Sequence, residues 1–117
     1  MRYVNVVGSG DQARRVLIVT NPQDPRYAGC VLSYVRLDAA DGPCDGGSFY
    51  DDMTADEVMA LFNTEYGFDP AGWVEVADQL PGGCDDWLAP VRWAGPGQWE
   101  RFTDCNWLPF KPDTEGD

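Results

Sequence analysis

The stretch Thr54-Ala-Asp-Glu-Val-Met-Ala-Leu-Phe-Asn-Thr-Glu-Tyr-Gly67 decides the fold. Thr54 has a side-chain oxygen suited to capping a helix, and Glu57, three positions on, completes a reciprocal capping box. Val58, Met59, Leu61, Phe62 and Tyr66 then recur at helical spacing as one apolar stripe. Gly67 stands where a left-handed C-terminal cap belongs. These signals predict a helix over Ala55–Tyr66, with Asp56, Glu57 and Glu65 turned to water.

On the N-terminal side the pattern changes from helical to extended. Arg2–Val7, Ala13–Thr20 and Cys30–Leu37 are rich in β-branched residues and are separated by turn chemistry. Gly8-Ser9-Gly10-Asp11 suits a hairpin loop, and Asn21-Pro22 and Asp24-Pro25 break the chain because the residue before proline leaves helical geometry. Three strands with short connections predict an antiparallel meander, followed by a loop over residues 38–48 dense in Asp, Gly and Pro. On the C-terminal side, Trp73–Val76 reads as a short strand or the start of a second short helix. Arg92–Trp93 and Gln98–Phe102 read as strands flanking Gly95-Pro96-Gly97. The sum is an α+β domain: a small antiparallel sheet, made of the meander plus a C-terminal hairpin, with one main helix packed on it. The expected domain covers residues 1–108, and 109–117 is expected to be a flexible acidic tail.

Composition narrows the function. The chain has 117 residues, one domain's worth, and 44% hydrophobic and 13% aromatic residues are too many for an intrinsically disordered chain. The net charge of −12 repels phosphate backbones and anionic membranes, so direct nucleic-acid and membrane binding are not expected. The charge is uneven. Residues 1–37 carry five arginines against two aspartates, whereas residues 38–117 carry three cations against 18 acids. The start of the chain lacks the basic and apolar regions of a signal peptide, and the longest apolar run, Val16–Val19, is too short for a bilayer. These features place the protein in the cytoplasm, where Cys30, Cys44, Cys84 and Cys105 would stay reduced, although their even number leaves pairing open.

The chemistry of catalysis is sparse. There is no histidine, which removes the commonest general base and metal ligand. The cysteines lie 14, 40 and 21 residues apart, without the close pair that nucleates a zinc site. The Gly-rich turns lack the lysine and strand-to-helix setting of a phosphate loop. Residues 41–52 align to a calcium loop only at Asp41, Asp45 and Gly46; Pro43 and Asp52 break the pattern, and the expected reading is a solvated acidic loop. Asp51-Asp52 and Asp85-Asp86 could pair carboxylates, but a glycosidase-like cleft is difficult to build in so few residues. No enzyme, metal or cofactor is expected.

What remains is a surface in which acids alternate with aromatics: Asp51, Asp52, Asp56, Glu57, Glu65, Asp69, Asp85 and Asp86, with Trp87 among the interleaved rings. Carboxylates around aromatic anchors suit a basic protein partner, because charge steers the encounter while desolvated rings supply affinity. In size, acidity and the acidic-aromatic stretch from Tyr50 to Trp87, the chain resembles the bacterial immunity proteins that neutralise toxins, many of them basic nucleases. That resemblance implies an inhibitor that plugs a toxin's substrate site by shape and charge. Three alternatives stay open: a nucleic-acid-mimicking anti-defence inhibitor, a structural or regulatory interaction domain, and plain acidity for solubility with the aromatics in the core.

Overall fold

Alternation along the first strands sets up a sheet with two apolar faces. The computed structural model describes residues 1–8 and 13–110. In it, β1 (Arg2–Val7), β2 (Arg14–Val19), β3 (Val31–Arg36) and β4 (Gly46–Tyr50) precede α1 (Ala55–Tyr66), and β5 (Val74–Val76), β6 (Val91–Gly95), β7 (Gln98–Thr103) and β8 (Asn106–Phe110) follow it. The first five strands form an antiparallel sheet in the order β4-β3-β2-β1-β5, and the last three form a second antiparallel sheet. The fold is α+β, with eight strands and one α-helix among the described residues.

The registers Tyr3↔Ile18, Asn5↔Val16 and Val31↔Tyr50 put those residues on one face of the large sheet. There Val16, Ile18 and Val31 meet Val58, Phe62 and Phe68 in the main core. The helix forms as its sequence signals dictate. Thr54 Oγ1 accepts from Glu57 N at 3.2 Å, Glu57 Oε1 accepts from Thr54 N at 2.9 Å, and Gly67 ends the helix at φ 74°. The opposite face carries Leu17, Val19 and Leu32, packed against Tyr27, Val76 and Leu88. The chain between residues 77 and 90 covers this second face and leads into the small sheet, where the Trp87 ring contacts Trp99 at 5.4 Å and Phe110 at 5.9 Å.

Three elements extend the expected layout. The loop over 38–48 gives way to a strand at Gly46, because the backbone of Gly46–Tyr50 pairs along β3. Trp73–Val76 resolves into a strand, Val74–Val76, held by β1. The C-terminal hairpin gains a third strand, β8, which continues two residues past 108 to Phe110. The rest of the expected tail lies outside the described residues, as does most of the hairpin loop 8–11.

Candidate acidic interface and the buried arginines

Two of the arginines that make the N-terminal third look basic are not on the surface. Arg2 is 3% exposed and Arg15 0%. Both project from the sheet face opposite α1, beside Val19 and Val6 respectively. Arg2 Nε donates to Ala77 O at 2.8 Å, and its terminal nitrogens donate to the carbonyls of Asp85, Trp87 and Leu88. Burial lowers its pKa from the ordinary arginine value, and Asp85, Asp78 and Asp41 offset part of that effect. Arg15 donates to Asp41 Oδ1 at 3.1 Å and to the carbonyls of Asp86 (2.8 Å), Ala40 and Gly42. Asp41 in turn accepts from the backbone N–H of Leu88 at 2.8 Å and of Ala89 at 2.9 Å. The two guanidiniums thus tie the 38–45 loop and the 77–90 segment onto the sheet. Buried charges survive because each finds several oxygens.

This clasp changes the standing of several expected site residues. Asp86 Oδ2 accepts from Cys44 N at 2.9 Å, and Asp85 Oδ2 accepts from Gln23 N at 2.8 Å. Burial raises the Asp85 pKa, and the hydrogen bonds from Gln23 counter part of the rise. Trp87 is 4% exposed and packs internally, so it is a core residue and not a contact anchor. Asp41 and Asp45 are exposed, as expected of a solvated loop, and they also hold that loop, since Asp45 Oδ2 accepts from Leu37 N at 2.7 Å and Asp41 Oδ1 from Leu88 N. Asp69 Oδ1 caps the turn Pro70–Gly72 by accepting from Ala71 N at 2.9 Å.

The remaining acids lie on the α1 side of the sheet. Asp51 and Asp52 leave β4, and Asp56 and Glu57 occupy the first turn of α1; all four are exposed. Glu65 is exposed in the last turn. Among the described residues, the ion pairs are Met1–Asp78, Arg15–Asp41, Arg26–Asp24, Arg36–Asp38 and Arg92–Glu100, and none includes these five acids. The structure therefore divides the expected site. Asp51, Asp52, Asp56, Glu57 and Glu65 share the helix layer, while Asp85 and Asp86 lie across the sheet from it.

Position on the helix separates the acids further. Asp56 and Glu57 sit at the N-terminus, where the helix dipole favours negative charge. Glu65 sits at the C-terminal end without a basic residue in its turn, where the same dipole disfavours it. Beside it, Tyr66 is 62% exposed and rests against Phe62 with ring centroids 5.2 Å apart. The sequence places Tyr66 both in the apolar stripe and among the aromatics interleaved with the acids, and its position one residue before the Gly67 cap is the sign that it leaves the core.

Cys44 and Cys84 both lie near Asp86. Burial, then the Asp86 carboxylate, pushes each thiol up to about 11. Among the described residues no group of three or more His, Cys, Asp or Glu side chains is arranged to hold a metal ion. None of the described helices is long and apolar enough to cross a membrane. The chain matches no family model, no curated protein and no solved structure.

Proposed function

We propose that this chain is a non-catalytic binding domain that blocks a basic protein, in the manner of a bacterial immunity protein acting on a nuclease toxin in the cytoplasm. The observation that carries the reading is the layout of charge: Arg2 and Arg15 are buried, whereas five acids of the helix layer are exposed and outside every ion pair among the described residues. Asp51, Asp52, Asp56 and Glu57 would steer a cationic partner toward the N-terminal end of α1. Glu65 and Tyr66 would supply a charge and an aromatic contact at its other end.

The test is purification of the tagged chain from its native host, with washes at low and then high salt, beside a D51N/D52N/D56N/E57Q variant. A basic protein that stays with the native chain at low salt, leaves at high salt and is lost from the variant supports the reading. Its inhibition when recombined with the purified chain would establish the inhibitory role. A partner held equally by both chains, or no basic partner at all, would overturn it.

A further inference from the structure

A half-open cavity of about 630 Å³ lies between the C-terminal half of α1 and the end of the large sheet where β3 finishes and β4 begins. That volume falls in the range of sites for small organic ligands. Its walls are aromatic and aliphatic, chiefly Phe62, Tyr66, Phe68, Tyr50 and Val35. Phe62 meets Phe68 edge-on at 5.9 Å and Tyr66 at 5.2 Å, so one wall is a continuous set of rings.

The floor explains why the space is there. Gly46 pairs with Val35 and so faces the helix side of the sheet, yet a Cβ built on it would meet nothing within 4 Å. A side chain at this position would occupy the cavity. Ser33 and Ser48 are direct register partners on the same face, and both line the site. Side chains opposite each other in an antiparallel pair have Cβ atoms about 5 Å apart, so the two serines leave the sheet next to each other. Few, convergent polar groups in an apolar site are what fixes a ligand's orientation.

Electrostatics selects the ligand's charge. Arg14 at the rim is the one charged side chain among the lining residues, and it stands against a whole-chain charge of −12. The net field offsets that single cation and leaves an anion no advantage, while desolvation between Phe62, Phe68 and Val35 disfavours a compact cation. We infer that the cavity binds a neutral, flat, largely aromatic molecule whose one polar oxygen exchanges hydrogen bonds with Ser33 and Ser48. This site is separate from the acids at the N-terminal end of α1 and shares only Tyr66 with the proposed partner surface.

The test is titration of the isotope-labelled full chain with 2-naphthol, and in parallel with 2-naphthoate, followed by amide NMR. The expected result is saturable shifts at Val35, Gly46, Ser48 and Tyr66 with Kd about 1 mM or tighter, and naphthoate at least about fivefold weaker. Gly46→Leu fills the floor and should weaken naphthol binding by about tenfold or more without lowering the melting temperature. Tyr66→Ala, a change at a residue 62% exposed, removes one wall and should weaken it severalfold, which decides the matter if the Gly46 variant fails to fold. Shifts elsewhere, tighter binding of naphthoate, or affinities within about twofold of the native chain in both variants would overturn the assignment. Perturbation of the same amides by protein concentration alone would overturn it in favour of a second copy of the chain.

Discussion

Arg15 shows how far a single side chain can reach. Its guanidinium binds oxygens of Ala40, Asp41, Gly42 and Asp86 from a fully buried position. Arg15→Met keeps most of the volume but leaves the Asp41 carboxylate and three carbonyls without that donor. Urea unfolding should show a loss of about 1–3 kcal/mol, the cost of leaving buried carbonyls without a donor, since Asp41 is 31% exposed and keeps its two backbone donors. Arg15→Lys should recover only part of it, since an ammonium lacks the planar fork. Cys44 and Cys84 give a second prediction. Their folded pKa values of about 11 stand above the ordinary 9.0, so folding disfavours the thiolate. The associated stability is complete below pH 9.0 and is lost as pH rises through 11. Unfolding curves between those limits should show a falling midpoint, and the C44S/C84S variant should flatten that fall. The arginines also show why part of the molecule was hidden in the sequence. Arg2 and Arg15 read there as surface cations, because nothing local to residues 2 or 15 announces carbonyls 25 to 86 positions away.

Among the elements, α1 was legible and β4 was not, for a definite reason. The cap, the apolar stripe and the terminating glycine of α1 all lie within Thr54–Gly67, so local reading suffices. Gly46-Gly47-Ser48 has little strand propensity of its own, and its extended form is imposed by the β3 edge. Gly47 pays for that pairing with close contact: a Cβ there would lie 2.7 Å from the Ser33 carbonyl oxygen. Gly47→Ala should therefore cost about 1–3 kcal/mol in chemical denaturation, as overpacking against backbone does. Gly46→Ala has open space on its side of the strand and should be neutral within about 0.5 kcal/mol. The same non-locality left Trp73–Val76 open between strand and helix, and pairing with the sequence-distant β1 decides for the strand Val74–Val76.

Across the whole molecule, a net charge of −12 acts on stability as well as on partners. With Arg2 and Arg15 buried, acids dominate the exposed charge, and their mutual repulsion weakens the compact state. Raising sodium chloride from 20 to about 300 mM should raise the melting temperature by a few degrees, because the screening length falls toward the spacing of surface charges. Glu65→Gln separates fold from function most sharply: relief of the helix dipole should stabilise the fold by about 0.3–1 kcal/mol while partner binding weakens. The acidic face was partly legible as a composition gradient; its division across the sheet was not, because the Asp85–Trp87 segment is drawn to the opposite side by the N-terminal arginines. That arrangement has a consequence for biosynthesis. The first strand made receives its neighbour β5 and the carbonyl ligands of Arg2 from residues 74–88, so a nascent chain holds Arg2 unsatisfied until Leu88 is free. Chains truncated before that point would keep a charged group without its ligands and would be open to proteolysis.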